Sequence, residues 1–128
     1  MQLAPLQIHI LRLLSEAGEE NIPTIVNTIL VESTAGSLEN LLDQVNEALQ
    51  ELYWRKLIVY AYYSNDVQYR WKILTSKEIQ PFLPINNCLS WNQENRSWQW
   101  KEKEFGQERV YVLLQEEGRR IINEYLSF

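Results

Sequence analysis

The sequence predicts an α+β fold, with helices first, antiparallel strands next and a closing helix. Three observations predict it. Residues 37–54 repeat apolar side chains at three- and four-residue steps, which is a helical period. Residues 57–63 are aromatic and β-branched, and residues 68–74 alternate aromatic with basic side chains, which are strand signatures. Residues 115–126 return to helical spacing, with Ile121, Ile122, Tyr125 and Leu126 on one face.

Taken in order, the first helix is placed at residues 4–17, because Leu3, Leu6, Ile10, Leu13, Leu14 and Ala17 share a face and Gly18 suits the C-terminal stop. His9 lies at the edge of that face and reads as a boundary residue, since the chain has no second histidine. Glu19 and Glu20 fall in a turn. Pro23 suits the first turn of a second, shorter helix carrying Ile22, Ile25, Val26, Ile29 and Leu30. Its β-branched residues lower helix propensity, so burial must hold it. After a turn at residues 32–36, Ser37 is a good cap for the third helix.

That third helix buries one stripe formed by Leu38, Leu41, Leu42, Val45, Ala48, Leu49 and Leu52. On its other side Glu39, Asp43, Glu47 and Glu51 follow one another at i+4 steps, with no Lys or Arg between Ser37 and Trp54. Like charges at that spacing cost an isolated helix roughly 0.2–0.5 kcal/mol per pair. Arg55 and Lys56 then form a basic corner at the helix C-terminus, where the dipole favours cations.

Residues 57–63 and 68–74 read as a hairpin around Ser64-Asn65-Asp66. Thr75 with Glu78 is a capping-box pattern, so residues 76–82 are expected as a short helix, followed by a loop at 85–87. Residues 89–92 and 97–102 form a second hairpin around 93–96, with Trp98 and Trp100 on one face. Gly106 breaks the run, residues 109–114 are a further strand, and the closing helix follows.

Composition is that of an ordinary globular chain, 45% hydrophobic and 23% charged over 128 residues, which favours one domain spanning 1–128. Residues 1–54 hold one base against eight acids, a formal −7. Residues 55–128 hold eleven bases and nine acids, a formal +2. No apolar run is long enough to span a membrane, and the N-terminal residues lack a signal-peptide pattern, so no membrane partner is expected. Cys88 is the only cysteine, which excludes an internal disulfide and fits a reducing cytoplasm.

Three segments resemble the winged helix-turn-helix superfamily in its MarR- and PadR-like style. They are residues 6–18; residues 38–59, above all the run Val45, Leu49, Leu52, Leu57, Ile58; and residues 109–122, where Gln115 stands in place of the usual Thr of a "Leu-Thr-x-x-Gly" helix start. The resemblance implies a recognition helix at 37–52, a β wing, and DNA reading through the N-terminal end of that helix. Two departures matter. The exposed positions there are Glu39, Asn40, Asp43 and Gln44, and a carboxylate column is repelled by the phosphates of both groove walls. The wing is also enlarged, either in itself by residues 64–106 or by a hairpin and short helix inserted beside it.

Enzymatic chemistry has little footing. One His and one Cys make no nucleophile system, no metal-ligand spacing occurs, and four glycines form no phosphate loop, so no cofactor is expected. Two binding surfaces remain. The column Glu39, Asp43, Glu47, Glu51 suits a basic protein partner, as in toxin-immunity proteins by charge analogy. Tyr60, Tyr62, Tyr69 and Trp71 are expected as an aromatic ladder on one hairpin face, extended by Trp98 and Trp100. That ladder is either covered by the inserted elements or open as an interface patch. Arg70, Lys72, Arg96, Lys101 and Lys103 offer a basic rim for nucleic acid, the route left to a dimeric DNA-binding regulator. The leading expectation is a non-enzymatic protein-binding module.

Overall fold

The computed structural model describes residues 2–32, 37–64, 70–101 and 110–126. The fold is α+β, with five α-helices and two antiparallel sheets among the described residues. Helix α1 (Pro5–Ala17) ends at Gly18, which takes φ +88° and returns its N–H to the Leu14 carbonyl. Strand β1 (Glu19–Asn21) follows directly, and Asn21 then caps α2 (Ile22–Glu32) by accepting from the Thr24 N–H at 2.8 Å. The Glu19–Glu20 pair expected in a turn therefore lies in a strand. Three residues are too few for periodicity to mark, and only pairing with a distant strand defines them. His9 joins the two helices through Nε2, 2.7 Å from a Glu32 carboxylate oxygen.

Helix α3 (Leu38–Trp54) carries the Ser37 cap as expected, the hydroxyl accepting from the Asn40 N–H at 3.0 Å. Leu41, Leu42, Val45, Ala48, Leu49 and Leu52 are buried, while Leu38 stays at the rim of the stripe. Strand β2 (Ile58–Tyr63) leaves α3 through the Arg55–Lys56 corner. It pairs on one side with β3 (Trp71–Ile73) and on the other with β6 (Val110–Leu114), giving the sheet order β1-β6-β2-β3. The inward face of this sheet buries Ile58, Tyr60, Val110 and Val112 in the common core with the helices. Helix α5 (Glu116–Leu126) closes the chain against α1 with Ile121 and Ile122 buried.

Between β3 and β6 lies the inserted unit. Thr75 and Glu78 form the expected capping box on α4 (Ser76–Ile79), which runs on as a 3₁₀ turn at Gln80–Phe82. The expected loop at 85–87 is a second 3₁₀ turn, Ile85–Asn87. Strands β4 (Leu89–Asn92) and β5 (Ser97–Trp100) make the second hairpin around the turn at 93–96. This hairpin is a separate two-stranded sheet that packs on α2, away from the β2–β3 pair. Asn27 of α2 acts as a substitute strand along its edge: its amide donates to the Trp98 carbonyl at 2.9 Å and its oxygen accepts the Trp98 N–H at 2.7 Å. Among the described residues no helix is long and apolar enough to cross a membrane.

Candidate functional site

The outward face of α3 follows from the inward one. Once the leucine stripe is buried, the helical period turns Glu39, Asp43 and Glu47 to solvent, and all three are exposed. Their surroundings differ. Asp43 accepts from the Asn86 side-chain amide at 2.5 Å, and Asn46, on the same flank, accepts the Ile85 N–H at 2.9 Å. The inserted unit thus grips one flank of α3. Glu51 is half-buried and paired with Arg55 Nε at 2.8 Å, while an Arg55 Nη also donates to the Gln2 carbonyl at 3.2 Å. Glu39 and Glu47 have no ion pair among the described residues.

One side chain missed in the sequence completes this face. Trp54 is 81% exposed at the last turn of α3. Its signal was present: it stands seven residues beyond Glu47, two turns along the same face, and off the leucine stripe. It borders two clefts. One, of 440 Å³, includes Glu47, Glu51, Tyr53 and Leu83. The other, of 420 Å³, includes Tyr53, Lys56, Val59 and Gln115. A third cleft, of 530 Å³, runs between the start of α1 and Gln44, Glu47 and Glu51 on the other flank. The acidic ridge of α3 is therefore grooved on both sides, with an exposed indole at one end.

Comparison with protein-family models, with curated proteins and with solved structures finds no match in any of the three. What the site can do is read from its geometry and charge.

The expected aromatic ladder does not form. Pairing sets Tyr63 opposite Trp71 and Tyr62 opposite Lys72, so Trp71 lies on the opposite sheet face from Tyr60 and Tyr62. Side chains alternate along a strand, and a one-residue error in register moves the whole set across. Tyr60 is fully buried against Tyr53, with ring centroids 5.5 Å apart. Burial, then the neighbouring Tyr53, holds its phenol pKa above the ordinary tyrosine range. Tyr69 lies outside the described residues. Trp98 is buried against Trp91 at 5.5 Å, and Trp100 is half-buried opposite Leu89. The second hairpin thus covers α2 and does not extend a ladder on the first, so Tyr60 and Trp98 offer no contact surface.

Among the described residues the bases of the expected rim fall on two separate sheets. Arg70 and Lys72 lie at the β3 edge, with Lys72 Nζ 3.5 Å from a Glu78 carboxylate oxygen. Arg96 and Lys101 belong to the separate hairpin on α2, in its turn and just past its second strand. Lys103 lies outside the described residues. Cys88 is buried and its Sγ donates to the Pro81 carbonyl at 3.4 Å. Burial pushes the thiol pKa up, with Lys101 opposing, which suits a structural thiol better than a nucleophile. Among the described residues no group of three His, Cys, Asp or Glu side chains is placed to hold a metal ion.

Proposed function

We propose that the chain is a single winged helix-turn-helix module that binds a basic protein partner, without catalysis, on the grooved acidic face of α3. The fold part of this reading is supported by connectivity. A short strand separates the first two helices and pairs with the last strand, and that last strand lies beside the one leaving the third helix. The elements between β3 and β6 then enter as an insertion within the enlargement expected at 64–106.

The observation that carries the function is the face itself: Glu39 and Glu47 without counter-ions among the described residues, Asp43 bonded to the neutral Asn86 amide, and Trp54 at the end of the ridge at 81% exposure. A row of carboxylates ending at an exposed indole suits Lys- and Arg-bearing surfaces, which gain ion pairs along the row and a cation–π contact at its end. The same carboxylates repel a phosphate backbone, so DNA is the weaker reading, and the separated bases add nothing to it. Neutralisation of a basic toxin-like protein in the cytoplasm is the biological setting that this chemistry fits.

The test is capture from host lysate by the wild-type chain and by a Glu39→Lys, Asp43→Lys, Glu47→Lys triple variant, with the captured proteins identified. Basic proteins held by the wild type and lost from the variant are expected, and Trp54→Ala should weaken the same capture about ten-fold or more. Capture unaffected by charge reversal would refute the placement. Tight, steeply salt-dependent binding of random duplex DNA by the wild type would favour the regulator instead.

A further inference from the structure

The outward face of the four-stranded sheet meets that site only at Val59, which also lines the cleft beside Trp54. Register places Tyr63 opposite Trp71, and Tyr111 and Ile73 on either side of Ala61. The rings meet edge to face, with centroids 5.1 Å apart for Tyr63–Trp71 and 5.3 Å for Trp71–Tyr111. Val59 and Leu113, paired one row further along, continue the same face. Ile73 is 52% exposed, and these aromatic and aliphatic side chains stand apart from the core cluster beneath the sheet. Contiguous apolar surface of this kind marks an interaction site in a folded chain. Rings already locked against one another lose little freedom when covered.

We propose that this face is a homodimer surface on which a second copy of the chain packs sheet to sheet about a two-fold axis. Charge selects that occupant. The chain carries a formal −5, and its helical half −7, so two copies meeting through their α3 faces would oppose acidic columns. The outward sheet face is neutral along β6, β2 and β3, and among its described strand residues only Glu19, on edge strand β1, brings a charge to it. A cationic partner finds little there to pair with, whereas a like-charged copy finds the surface where repulsion is least.

Shape supports the same occupant. The aromatic residues Tyr63, Trp71 and Tyr111 occupy one end of the face, and Val59 and Leu113 the other. A two-fold axis lying between the two sheets, parallel to them and across the strands, lays the aromatic end of each copy over the aliphatic end of its partner, as an isologous interface requires. Helix α3 packs on the inward side of the sheet, where Tyr53 meets Tyr60. Dimerisation leaves the carboxylates Glu39, Asp43 and Glu47 free, and the two surfaces adjoin only where Val59 lines the Trp54 cleft.

Sedimentation velocity of the full chain over roughly 5–500 µM tests this by mass action. A concentration-dependent monomer–dimer equilibrium is expected. Ile73→Lys and Tyr63→Lys, each at an exposed position, should both weaken it about ten-fold or more while far-UV circular dichroism stays that of the wild type. The two variants are read separately, so a fold lost in one leaves the other informative. Glu39→Lys should leave the equilibrium unchanged. A wild-type chain that stays monomeric throughout, a dimer that survives both folded lysine variants, or a dimer strengthened or broken by Glu39→Lys overturns the proposal.

Discussion

Lys56 and Gly118 hold the junctions around Leu57 by opposite means. Lys56 takes φ +62° so that α3 can end: its N–H returns to the Tyr53 carbonyl and the Leu57 N–H to the Leu52 carbonyl, both at 3.0 Å. This is a Schellman closure, with Leu52 and Leu57 both buried as its apolar contact. A side chain at left-handed φ costs about 1 kcal/mol, so Lys56→Gly should raise stability by about that amount in chemical denaturation. Gly118 is required by space. A Cβ there would stand 2.3 Å from the Leu57 carbonyl oxygen and 2.9 Å from a Leu114 methyl. Gly118→Ala should therefore cost about 2 kcal/mol or more, as overpacking against backbone does. An unchanged midpoint for either variant would refute its geometric account.

Among the elements, α3 shows how one helix serves two ends. Its stripe supplies the burial that holds a helix whose outward carboxylates disfavour it, and those carboxylates are then left for a partner. The short α4 depends on its cap instead. Glu78 accepts from the Thr75 N–H at 3.1 Å while the Thr75 hydroxyl accepts from the Glu78 N–H at 3.2 Å. The bond from the Thr75 backbone, then the Thr75 side chain, then Lys72 hold the Glu78 carboxyl below its ordinary value of 4.5. A carboxyl depressed on folding adds stability that is complete above its unfolded value and is lost as pH falls through the folded one. Amide protection of residues 75–82 should accordingly drop on acidification below about pH 4. Glu78→Gln should remove that pH step, and a step that persists in Glu78→Gln would assign it to another group.

At the scale of the whole molecule, two asparagines determine where the inserted unit sits. Asn27 satisfies both main-chain groups of Trp98, and Asn46 satisfies the Ile85 N–H. With the hairpin seated, Trp98 and Ile85 join the common core rather than forming one of their own. Asn27→Ala removes two bonds and leaves a part-buried peptide unpaired, so a loss of about 2–4 kcal/mol is expected, with faster amide exchange through β4 and β5. Wild-type stability in that variant would show that Trp98 packing alone seats the hairpin. The insertion also gives the molecule its asymmetry, since it grips one flank of α3 through Asn86 and Asp43 and leaves the ridge carrying Glu47 and Trp54 open.

Local pattern determined much of this protein. The leucine stripe of α3, its Ser37 cap, the Thr75–Glu78 box, the Gly18 stop and the turn at 93–96 are each written within a few residues, because capping and periodicity act over one or two turns of chain. The acidic column was legible for the same reason, and so was the exposure of Trp54, had its place on the helical wheel been followed. Tertiary structure decided what pairs across distance. Strand β1 exists only because β6 lies beside it, the register of β2 against β3 moved Trp71 to the face of Tyr63, and Asn27 found Trp98 across 71 residues. Those outcomes depend on which unpaired main-chain groups meet when the core closes, and composition carries no record of that meeting.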